Sequence, residues 1–322
     1  MKQSPGYARS LVVSVMLAVL ALAAPLPAAG QAGLMKVKAG VVLEGSPTGW
    51  LYQVAHRQGL FRAEGLDIET VSTYEQIAAV IGGSLHIGEY DPATTLIAQS
   101  KGANIVTVAA LYDKAPFFFF AKPGTRDVKD LQGQQFAVSG VPSGDWAVVQ
   151  TALKRRGIQV NYRKLGGTPA RLAALQAGQV DATIIVLPFH LKAIEAGLKP
   201  VVTPDDLAYP WLNIFVRKDW ARDNARAVSG YLRALLKAVA WSEAPANKGA
   251  FVKLIMDLAK VDEKAALDSY DWVVAKKMHR VRPLSVGEAR ELVAALELEG
   301  AVPKGFDPKD SIDARFIEQA KR

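Results

Sequence analysis

The sequence predicts an α/β protein built as two lobes. Short apolar, β-branched runs alternate with amphipathic stretches over the first two thirds of the chain, as in folds whose helices pack on a mostly parallel sheet. Within this part, one pattern of elements recurs at an offset of 95 positions. The last third carries apolar residues at three- and four-residue spacing, which predicts helices. We therefore expect two similar lobes and a helical C-terminal extension on lobe one.

The first 32 residues have the pattern of a secretory signal peptide. Lys2 and Arg9 precede the apolar run 11–24, and two prolines and several small residues follow it. A basic start, an apolar segment and a small-residue exit are typical of signal peptides. The run is shorter than the roughly 20 residues that span a bilayer comfortably. The sequence therefore predicts export and cleavage, with a retained N-terminal anchor as the alternative.

The composition argues against several classes of protein. The chain has 322 residues, no cysteine and a formal net charge of +8, with basic and acidic residues interleaved. Such a distribution is typical of a solvated surface, so we expect no nucleic-acid partner. Without cysteine there is neither a disulfide framework nor a lipid-modified cysteine. The four histidines show no metal-ligand spacing, and we expect neither a metal ion nor a cofactor.

The repeat gives both lobes the same order of elements. In lobe one, the apolar run 36–43 precedes the loop Gly-Ser-Pro-Thr-Gly at 45–49, a helix-like stretch and the strand-like run 66–71. In lobe two, the run 134–140 leads into Gly-Val-Pro-Ser-Gly at 140–144 and another helix-like stretch. Each unit therefore reads strand, Gly-Pro loop, helix, strand, helix and strand. The alternative is that βα units resemble one another without duplication.

Capping residues mark the second helix of each unit. Thr73 and Thr168 precede amphipathic runs and suit N-cap positions, with Pro169 at the favoured first helical position. Gly83 and Gly178 suit helix ends, where the chain needs a left-handed residue. Both pairs are 95 positions apart, which supports the repeat.

Two further apolar runs are expected to connect the lobes. Residues 116–124 and 211–219 read as extended segments that reach a basic residue. If the chain leaves lobe one through the first and returns through the second, two crossover strands form the hinge. Everything after Asp219 reads as helical. The predicted boundaries are residues 1–32 for the signal peptide, 33–118 with 216–322 for lobe one, and 119–215 for lobe two.

Four segments together carry a family resemblance. They are VAHRQGLFRAEGLDIETV (54–71), AAVIGGSLHIGEYDPAT (78–94), DLQGQQFAVSG (130–140) and LAALQAGQVDATIIVLP (172–188). The chain resembles, over about residues 35–320, the sulfonate, nitrate, taurine and pyrimidine-precursor family of periplasmic solute-binding proteins that serve ABC importers. The resemblance implies a type II periplasmic-binding-protein fold, a periplasmic monomer, a small-molecule ligand and an ABC permease of the inner membrane as partner.

The two Gly-Pro loops predict where the ligand binds. In open α/β sheets, ligands lie outside the carboxyl ends of the strands, where helix N-termini point. Facing lobes would bring Thr48 and Gly49 opposite Ser143 and Gly144, so that hydroxyls, N–H groups and helix dipoles could hold one solute. Ordinary loop and cap chemistry is the alternative. At Ser143 the resemblance implies that family members hold the ligand's acidic group at this helix start.

Other strand ends and aromatic residues complete the predicted site. Aromatic side chains among few polar groups fit an organic ligand better than bare nitrate, and carboxylates near strand ends favour an amine or N–H edge. We expect an aminosulfonate or sulfonate, a pyrimidine or a related amine. The evident cations are Lys114, Arg171 and His190, so a dicarboxylate fits less well. The candidate ligand-binding residues are Thr48, Gly49, Trp50, Tyr74, Glu89, Tyr90, Asp91, Thr94, Asp113, Ser143, Gly144, Asp145, Trp146, Phe189 and Trp211, and core packing is the alternative for Trp50, Trp146 and Trp211.

Two other functions stay open at this point. A sensor or accessory protein would present the same ligand to a receptor. A periplasmic enzyme on the same fold is the weaker alternative, because no nucleophile–base pattern is present and Gly-Val-Pro-Ser-Gly is not the Gly-x-Ser-x-Gly elbow. A catalytic carboxylate would have to come from Glu89 or Asp91.

Overall fold

The computed structural model describes residues 33–42 and 44–322. The predicted signal peptide lies outside the described residues. Within them, eleven strands form two sheets. In chain order the strands are β1 (Met35–Val41), β2 (Leu66–Ser72), β3 (Ile87–Tyr90), β4 (Ile105–Lys114), β5 (Phe117–Ala121), β6 (Gln135–Val138), β7 (Asn161–Lys164), β8 (Ala182–Val186), β9 (Pro200–Val202), β10 (Ala208–Arg217) and β11 (His279–Arg282).

The helices follow the strands in the predicted alternation and then dominate the last third of the chain. They are α1 (Pro47–Arg57), α2 (Leu60–Ala63), α3 (Gln76–Ile81), α4 (Pro92–Ser100), α5 (Gly144–Lys154), α6 (Thr168–Gln176), α7 (His190–Glu195), α8 (Lys218–Asp223), α9 (Ala225–Glu243), α10 (Lys248–Ala259), α11 (Glu263–Tyr270), α12 (Val286–Leu298) and α13 (Arg315–Ala320). A π-helical turn, Asp271–Ala275, continues α11. None of the described helices combines the length and the hydropathy that a bilayer span requires.

Both sheets are mixed, with parallel strands on one side. The first has the order β11-β4-β10-β3-β1-β2, in which β3, β1 and β2 are parallel and β10 is antiparallel to β3 and β4. The second has the order β7-β6-β8-β5-β9, in which β7, β6 and β8 are parallel and β5 is antiparallel to β8 and β9. The predicted α/β class is confirmed, and the antiparallel pairs come from strands beside the connections between the sheets.

The internal repeat is visible in the two strand orders. β2-β1-β3 in the first sheet corresponds to β7-β6-β8 in the second. β2 begins at Leu66 and β7 at Asn161, and β3 begins at Ile87 and β8 at Ala182, so both pairs differ by 95 positions. The offset read from the sequence therefore corresponds to equivalent strands.

Within the described residues, the chain passes between the sheets twice. The first passage is at Ala115–Pro116, between β4 and β5, and the second is the segment 203–207, between β9 and β10. We call β1–β4, β10 and β11 with α1–α4 and α8–α13 the first-sheet half, and β5–β9 with α5–α7 the second-sheet half. The apolar runs expected to connect lobes form β5 and most of β10, directly after the two passages.

Central strands are buried on both faces, which explains their continuous apolar sequences. The first eight residues of β4 and all five of β5 are buried. On the first-sheet half, α9 packs against α1, α2 and α13, and α13 packs against β4. The C-terminal helices therefore complete the first-sheet half, as predicted.

Three local expectations need correction. Thr73 is not an N-cap, because α3 begins at Gln76 after Glu75, whose N–H donates to Thr73 Oγ1. Thr168 is the first residue of α6, and Gly167 is its N-cap. The region after residue 219 is not wholly helical, since β11 pairs with β4. Gly83 and Gly178 do have the expected left-handed backbone, with φ of 80° and 69°.

Candidate functional site

A cavity of about 380 Å³ lies between the two halves, at the carboxyl ends of their parallel strands. This volume is in the range of pockets for small organic molecules. Thr48 and Ser143, from the two repeated loops, line the same cavity. Nine of the fifteen predicted residues line it: Thr48, Tyr74, Tyr90, Asp91, Ser143, Gly144, Asp145, Phe189 and Trp211.

The start of α5 forms one wall. Ser143 is the N-cap of this helix, and its Oγ accepts a hydrogen bond from Trp146 N at 3.2 Å. Asp145, in the first turn, turns its carboxylate back onto the loop and accepts from Ser139 N at 3.0 Å, Ser139 Oγ at 2.6 Å and Trp146 N at 2.9 Å. Asp145 therefore fixes the shape of the loop, besides facing the cavity.

Arg171 of α6 supports the same loop from inside the second-sheet half. Its Nη1 lies 3.3 Å from Asp145 Oδ2, and both side chains are more than nine-tenths buried. Its Nε and Nη2 donate to Ile184 O at 3.2 and 3.1 Å. Burial lowers the pKa of Arg171, and the charge of Asp145 opposes that shift. The guanidinium is thus a buried cation with a fixed partner.

Asp91 forms the opposite wall. It is the N-cap of α4, where its Oδ1 accepts from Thr94 N at 3.0 Å, and its Oδ2 accepts from Tyr209 OH at 3.2 Å. Burial raises the pKa of Asp91 from an ordinary value of 3.8 to about 6, and these hydrogen bonds partly oppose the rise. The side chain is 4% exposed and borders the cavity. Asp91 is therefore a carboxyl that titrates close to neutrality.

The start of α1 contributes two hydroxyl residues and no acidic residue to the cavity. Ser46 is the N-cap, and its Oγ lies 2.9 Å from Thr48 Oγ1. Both residues line the cavity. Gly49, one residue further on, packs against the backbone of Glu44, where a Cβ atom would collide. Of the predicted Thr48–Gly49 pair, only Thr48 therefore reaches the cavity.

Aromatic and aliphatic side chains form the rest of the wall. The Phe117 and Trp211 rings meet edge to face with centroids 5.3 Å apart. Leu212 has a left-handed backbone with φ of 58°, and the β10–β4 register shifts between Ala208 and Trp211. This irregularity breaks the alternation of the strand, so the neighbours Trp211 and Leu212 both line the cavity. Tyr74, 64% exposed, lies at the rim.

Three predicted residues are taken up by the cores of the two halves. Trp50 is fully buried and edge-on to Phe251, with centroids 6.4 Å apart. Trp146 is edge-on to Tyr162 at 6.2 Å. Neither lines the cavity, because each lies in the helix that follows its loop and is buried against residues of its own half. With Gly49, they have packing roles in this structure.

Three predicted acidic or hydroxyl residues also lie outside the cavity. Glu89 points into the core of the first-sheet half, where burial raises its pKa well above the ordinary value. Thr94 uses its N–H and hydroxyl on Asp91. Asp113 pairs with Arg282 and borders a separate groove of about 720 Å³. Burial in the core holds the Glu89 side chain away from the cavity, hydrogen bonds to Asp91 hold Thr94, and an ion pair holds Asp113.

Sequence reasoning missed several wall residues. Phe117, Ser139 and Leu212 line the cavity, as do Thr168 and Pro169 at the start of α6. The signal for α6 was present, because its start is the repeat partner of the segment that carries Tyr74.

Of the cations named for a dicarboxylate, Lys114 pairs with Asp205 at 2.9 Å, and His190 Nε2 lies 2.8 Å from Asp268. In the described residues, no group of three His, Cys, Asp or Glu is placed to hold a metal ion.

Comparison with known proteins identifies relatives by sequence. The family model described as NMT1/THI5 like matches residues 49–247. The riboflavin-binding protein RibY of Chloroflexus aurantiacus is 25% identical over 202 residues, which is 59% of this chain. The match spans 57% of the length of that curated relative.

Comparison of the folds gives a wider set of similar structures. The alkanesulfonate-binding protein SsuA of Xanthomonas axonopodis pv. citri, bound to MOPS, has a TM-score of 0.74 at 18% identity, over 88% of this chain and 99% of that one. The nitrate-binding protein NrtA of Synechocystis PCC 6803 has 0.74 at 14%, over 89% and 88%. A Candida albicans protein described as having the generic periplasmic binding protein fold has 0.68 at 14%, over 87% and 97%. At these identities the likeness shows a shared fold.

Proposed function

Because the chain belongs to the NMT1/THI5-like family, we propose that it is the exported solute-binding component of an ABC importer. It captures a small organic solute between two lobes that close on it. The observation that carries this proposal is the shared cavity, to which the repeated loops contribute Thr48 from one half and Ser143 from the other. A solute in that cavity contacts both halves at once.

We propose that the two halves act as lobes that move about the two passages between the sheets. The lobes predicted from the sequence are residues 33–118 with 216–322 and residues 119–215. We propose that their boundaries lie at the two passages, Ala115–Pro116 and 203–207. Only two covalent links join the halves in the described residues, which supports a hinge. Contacts such as Arg155 with Glu291, 3.2 Å apart, join the halves outside the cavity.

Closure follows from differential binding. A ligand that touches both lobes makes more contacts when they are closed, so it shifts the population towards the closed state. A change from 1:99 to 99:1 needs about 5.5 kcal/mol of difference in binding free energy. Polar groups at the starts of α1, α4, α5 and α6, together with the aromatic wall, supply this difference. An ABC permease of the inner membrane then recognises the closed form.

The cavity supports an organic solute over a bare inorganic ion. Phe117, Phe189 and Trp211 offer ring surfaces, and Ser46, Thr48 and Asp91 offer polar partners. The candidates are a pyrimidine-like compound, a related amine, and an aminosulfonate or sulfonate such as taurine. We place the protein in the periplasm as a monomer without nucleic-acid partner, cofactor or enzymatic activity.

A thermal-shift panel of sulfonates, amines, pyrimidines and aromatic acids tests the proposal. A bound solute raises the unfolding midpoint by mass action, and at saturation it should reduce the radius of gyration in small-angle scattering. Phe189→Ala, in the cavity wall, should weaken the hit, whereas Asp113→Asn, outside the cavity, should leave it unchanged.

Three results would count against parts of the proposal. A solute that binds without any compaction contradicts closure. Turnover of the bound solute contradicts a purely binding role. Binding that persists while deletion of the gene leaves uptake of that solute intact would favour a sensor or accessory protein that presents the ligand to a receptor.

A further inference from the structure

The charges around the cavity are already balanced by one another, except for one carboxyl. Resting on the proposed function, we infer that the site excludes anions and selects a neutral or cationic solute that donates an N–H group to Asp91. Three charged residues line the cavity among the described residues, namely Asp91, Asp145 and Arg171.

All three nitrogen atoms of the Arg171 guanidinium are already engaged by other groups of the protein. A guanidinium carries five N–H bonds. Nε donates to Ile184 O, and Nη2 donates to Ile184 O at 3.1 Å and to Thr168 Oγ1 at 3.2 Å. Nη1 donates to Gly166 O and faces Asp145 Oδ2 at 3.3 Å. These four hydrogen bonds and one ion pair, two of them to the same Ile184 carbonyl, equal the number of N–H bonds, so a bound anion would have to displace one of them.

Asp145 occupies the place where an anionic group would meet α5. The N-terminus of a helix attracts negative charge, and here the chain supplies that charge itself. Oδ1 accepts from Ser139 Oγ and Trp146 N, and Oδ2 accepts from Ser139 N. With Arg171 alongside, the pair contributes no net charge to the cavity. The start of α5 is therefore already neutralised by its own side chain.

Because of Asp91, the cavity carries a net negative charge. Asp91 caps α4, so the start of that helix also has a carboxylate of its own. Its Oδ2 accepts a hydrogen bond from Tyr209 OH, and a carboxylate oxygen has room for a second donor. No lysine or histidine from the described part of the chain lines the cavity. A solute with an N–H group can bond to Asp91, whereas a sulfonate or carboxylate there would face a like charge.

The burial of Asp91 agrees with this assignment. Burial raises the pKa of this carboxyl to about 6, because the charged form has lost its water. A cationic or N–H donor restores part of that solvation, and an anion increases the penalty. The relatives whose names refer to sulfonate or nitrate share the fold with this chain at 14% to 18% identity, which leaves room for a different charge preference.

The test uses ligands matched in ring and size but not in charge. Benzylamine, benzamide and benzenesulfonate, with the corresponding pyrimidine derivatives, are titrated into the mature protein by calorimetry at pH 7.5, together with MOPS and nitrate. We expect the amine or amide of a series, each of which donates an N–H group, to bind at least about tenfold more tightly than its sulfonate. Asp91→Asn keeps the cap of α4 and should reduce that ratio to within about threefold, whereas Asp113→Asn should keep it.

The outcomes separate the inference from the proposed function. If sulfonates, MOPS or nitrate bind as tightly as the amines, or if Asp91→Asn leaves the ratio unchanged, the inference fails and the solute-binding function stands. If no member of any series binds, the proposed function fails and the inference with it.

Asp145→Asn gives an independent readout that needs only sulfate. This change removes the negative charge that neutralises Arg171 and the start of α5, so the variant should gain sulfate binding. Sodium sulfate at matched ionic strength with sodium chloride should raise its thermal midpoint more than that of the wild type. An equal rise in both proteins contradicts the claim that Asp145 stands where an anion would bind. If Asp145→Asn does not fold, the Asp91→Asn titration still decides the inference.

Discussion

Gly144, the first residue of α5, lies against the side chain of Asp91, the N-cap of α4, although the two belong to opposite halves of the molecule. A Cβ atom built on residue 144 would lie 2.9 Å from Asp91 Cβ and 3.1 Å from Asp91 Cγ. Carbon atoms do not normally approach so closely, since their optimal separation is about 3.5–4.0 Å. The two helix starts therefore meet at the cavity only because residue 144 has no side chain.

Gly144→Ala should separate the two halves. The backbone of Gly144 is not in the left-handed region, so alanine fits α5 locally, and its methyl group acts between the halves. We expect the affinity for an identified solute to fall by about tenfold or more and the radius of gyration of the complex to increase. Gly249→Ala is the control, because residue 249 is helical and faces open space. Wild-type affinity in Gly144→Ala would show that this contact does not limit closure.

Asp91 should give the stability of the protein a measurable pH dependence. Its pKa is raised in the folded state, from 3.8 to about 6. The folded protein then binds more protons than the unfolded chain between these values, so the free energy of unfolding falls as the pH rises from about 4 to about 6. A shift of this size corresponds to about 3 kcal/mol.

The comparison of wild type with Asp91→Asn isolates this effect. The variant has no titrating group at position 91, so its stability should rise relative to wild type as the pH rises from about 4 to about 6. Urea unfolding at pH 4, 5, 6 and 7 measures the difference. A difference that stays constant over this range would mean that Asp91 titrates at its ordinary pKa.

The order of elements could be predicted because it depends on local patterns that the chain repeats. The loops at Thr48 and Ser143 each follow a buried strand, and the topology of parallel strands brings such loops to the same edge of a sheet. Two copies facing each other then define one cavity. The duplicated pattern therefore predicted both the fold class and the position of the cavity that Thr48 and Ser143 line.

The direction of individual side chains could not be predicted in the same way. The pairing of Asp145 with Arg171 joins two helices in one half, and nothing in their spacing of 26 positions indicates it. Trp211 and Leu212 both line the cavity because of a register shift and a left-handed residue in β10. Such irregularities depend on the tertiary pairing of β10 with β4, which composition and periodicity do not encode.

Substitution of Glu89 tests whether this buried carboxyl belongs to the core or to the binding site. Burial raises its pKa well above 4.5, and its Oε1 has no hydrogen-bond partner among the described residues. The unfolded chain loses this proton at a lower pH than the folded protein, so wild-type stability falls as the pH rises above about 4.5. Glu89→Gln lacks that loss and should be more stable than wild type at pH 8, with a smaller difference at pH 5.

Solute affinity should not change in Glu89→Gln, because residue 89 does not line the cavity. Chemical unfolding at the two pH values and one binding isotherm give both readouts. Weaker binding in this variant would show that Glu89 contributes to the binding site. It would also support the alternative hypothesis of an enzyme, for which Glu89 and Asp91 are the candidate catalytic carboxylates.

Substitutions of Trp211 and Trp146 should have different effects on solute affinity and on the change in tryptophan fluorescence that a solute produces. Trp211 lines the cavity and meets Phe117 and Tyr112 edge to face, with centroids 5.3 and 5.1 Å apart. Trp211→Phe removes part of this wall and should weaken binding by about tenfold. It should also abolish most of the change in tryptophan emission that a solute produces.

Trp146→Phe is the matched control. Its indole N–H has no hydrogen-bond partner among the described residues, and the ring packs on Tyr162 away from the cavity. The substitution leaves a small cavity in the core and should cost about 1–2 kcal/mol of unfolding free energy, while affinity and the emission change persist. If Trp146→Phe weakens binding as much as Trp211→Phe does, the aromatic wall is not the surface that contacts the solute, because a core residue would then matter equally.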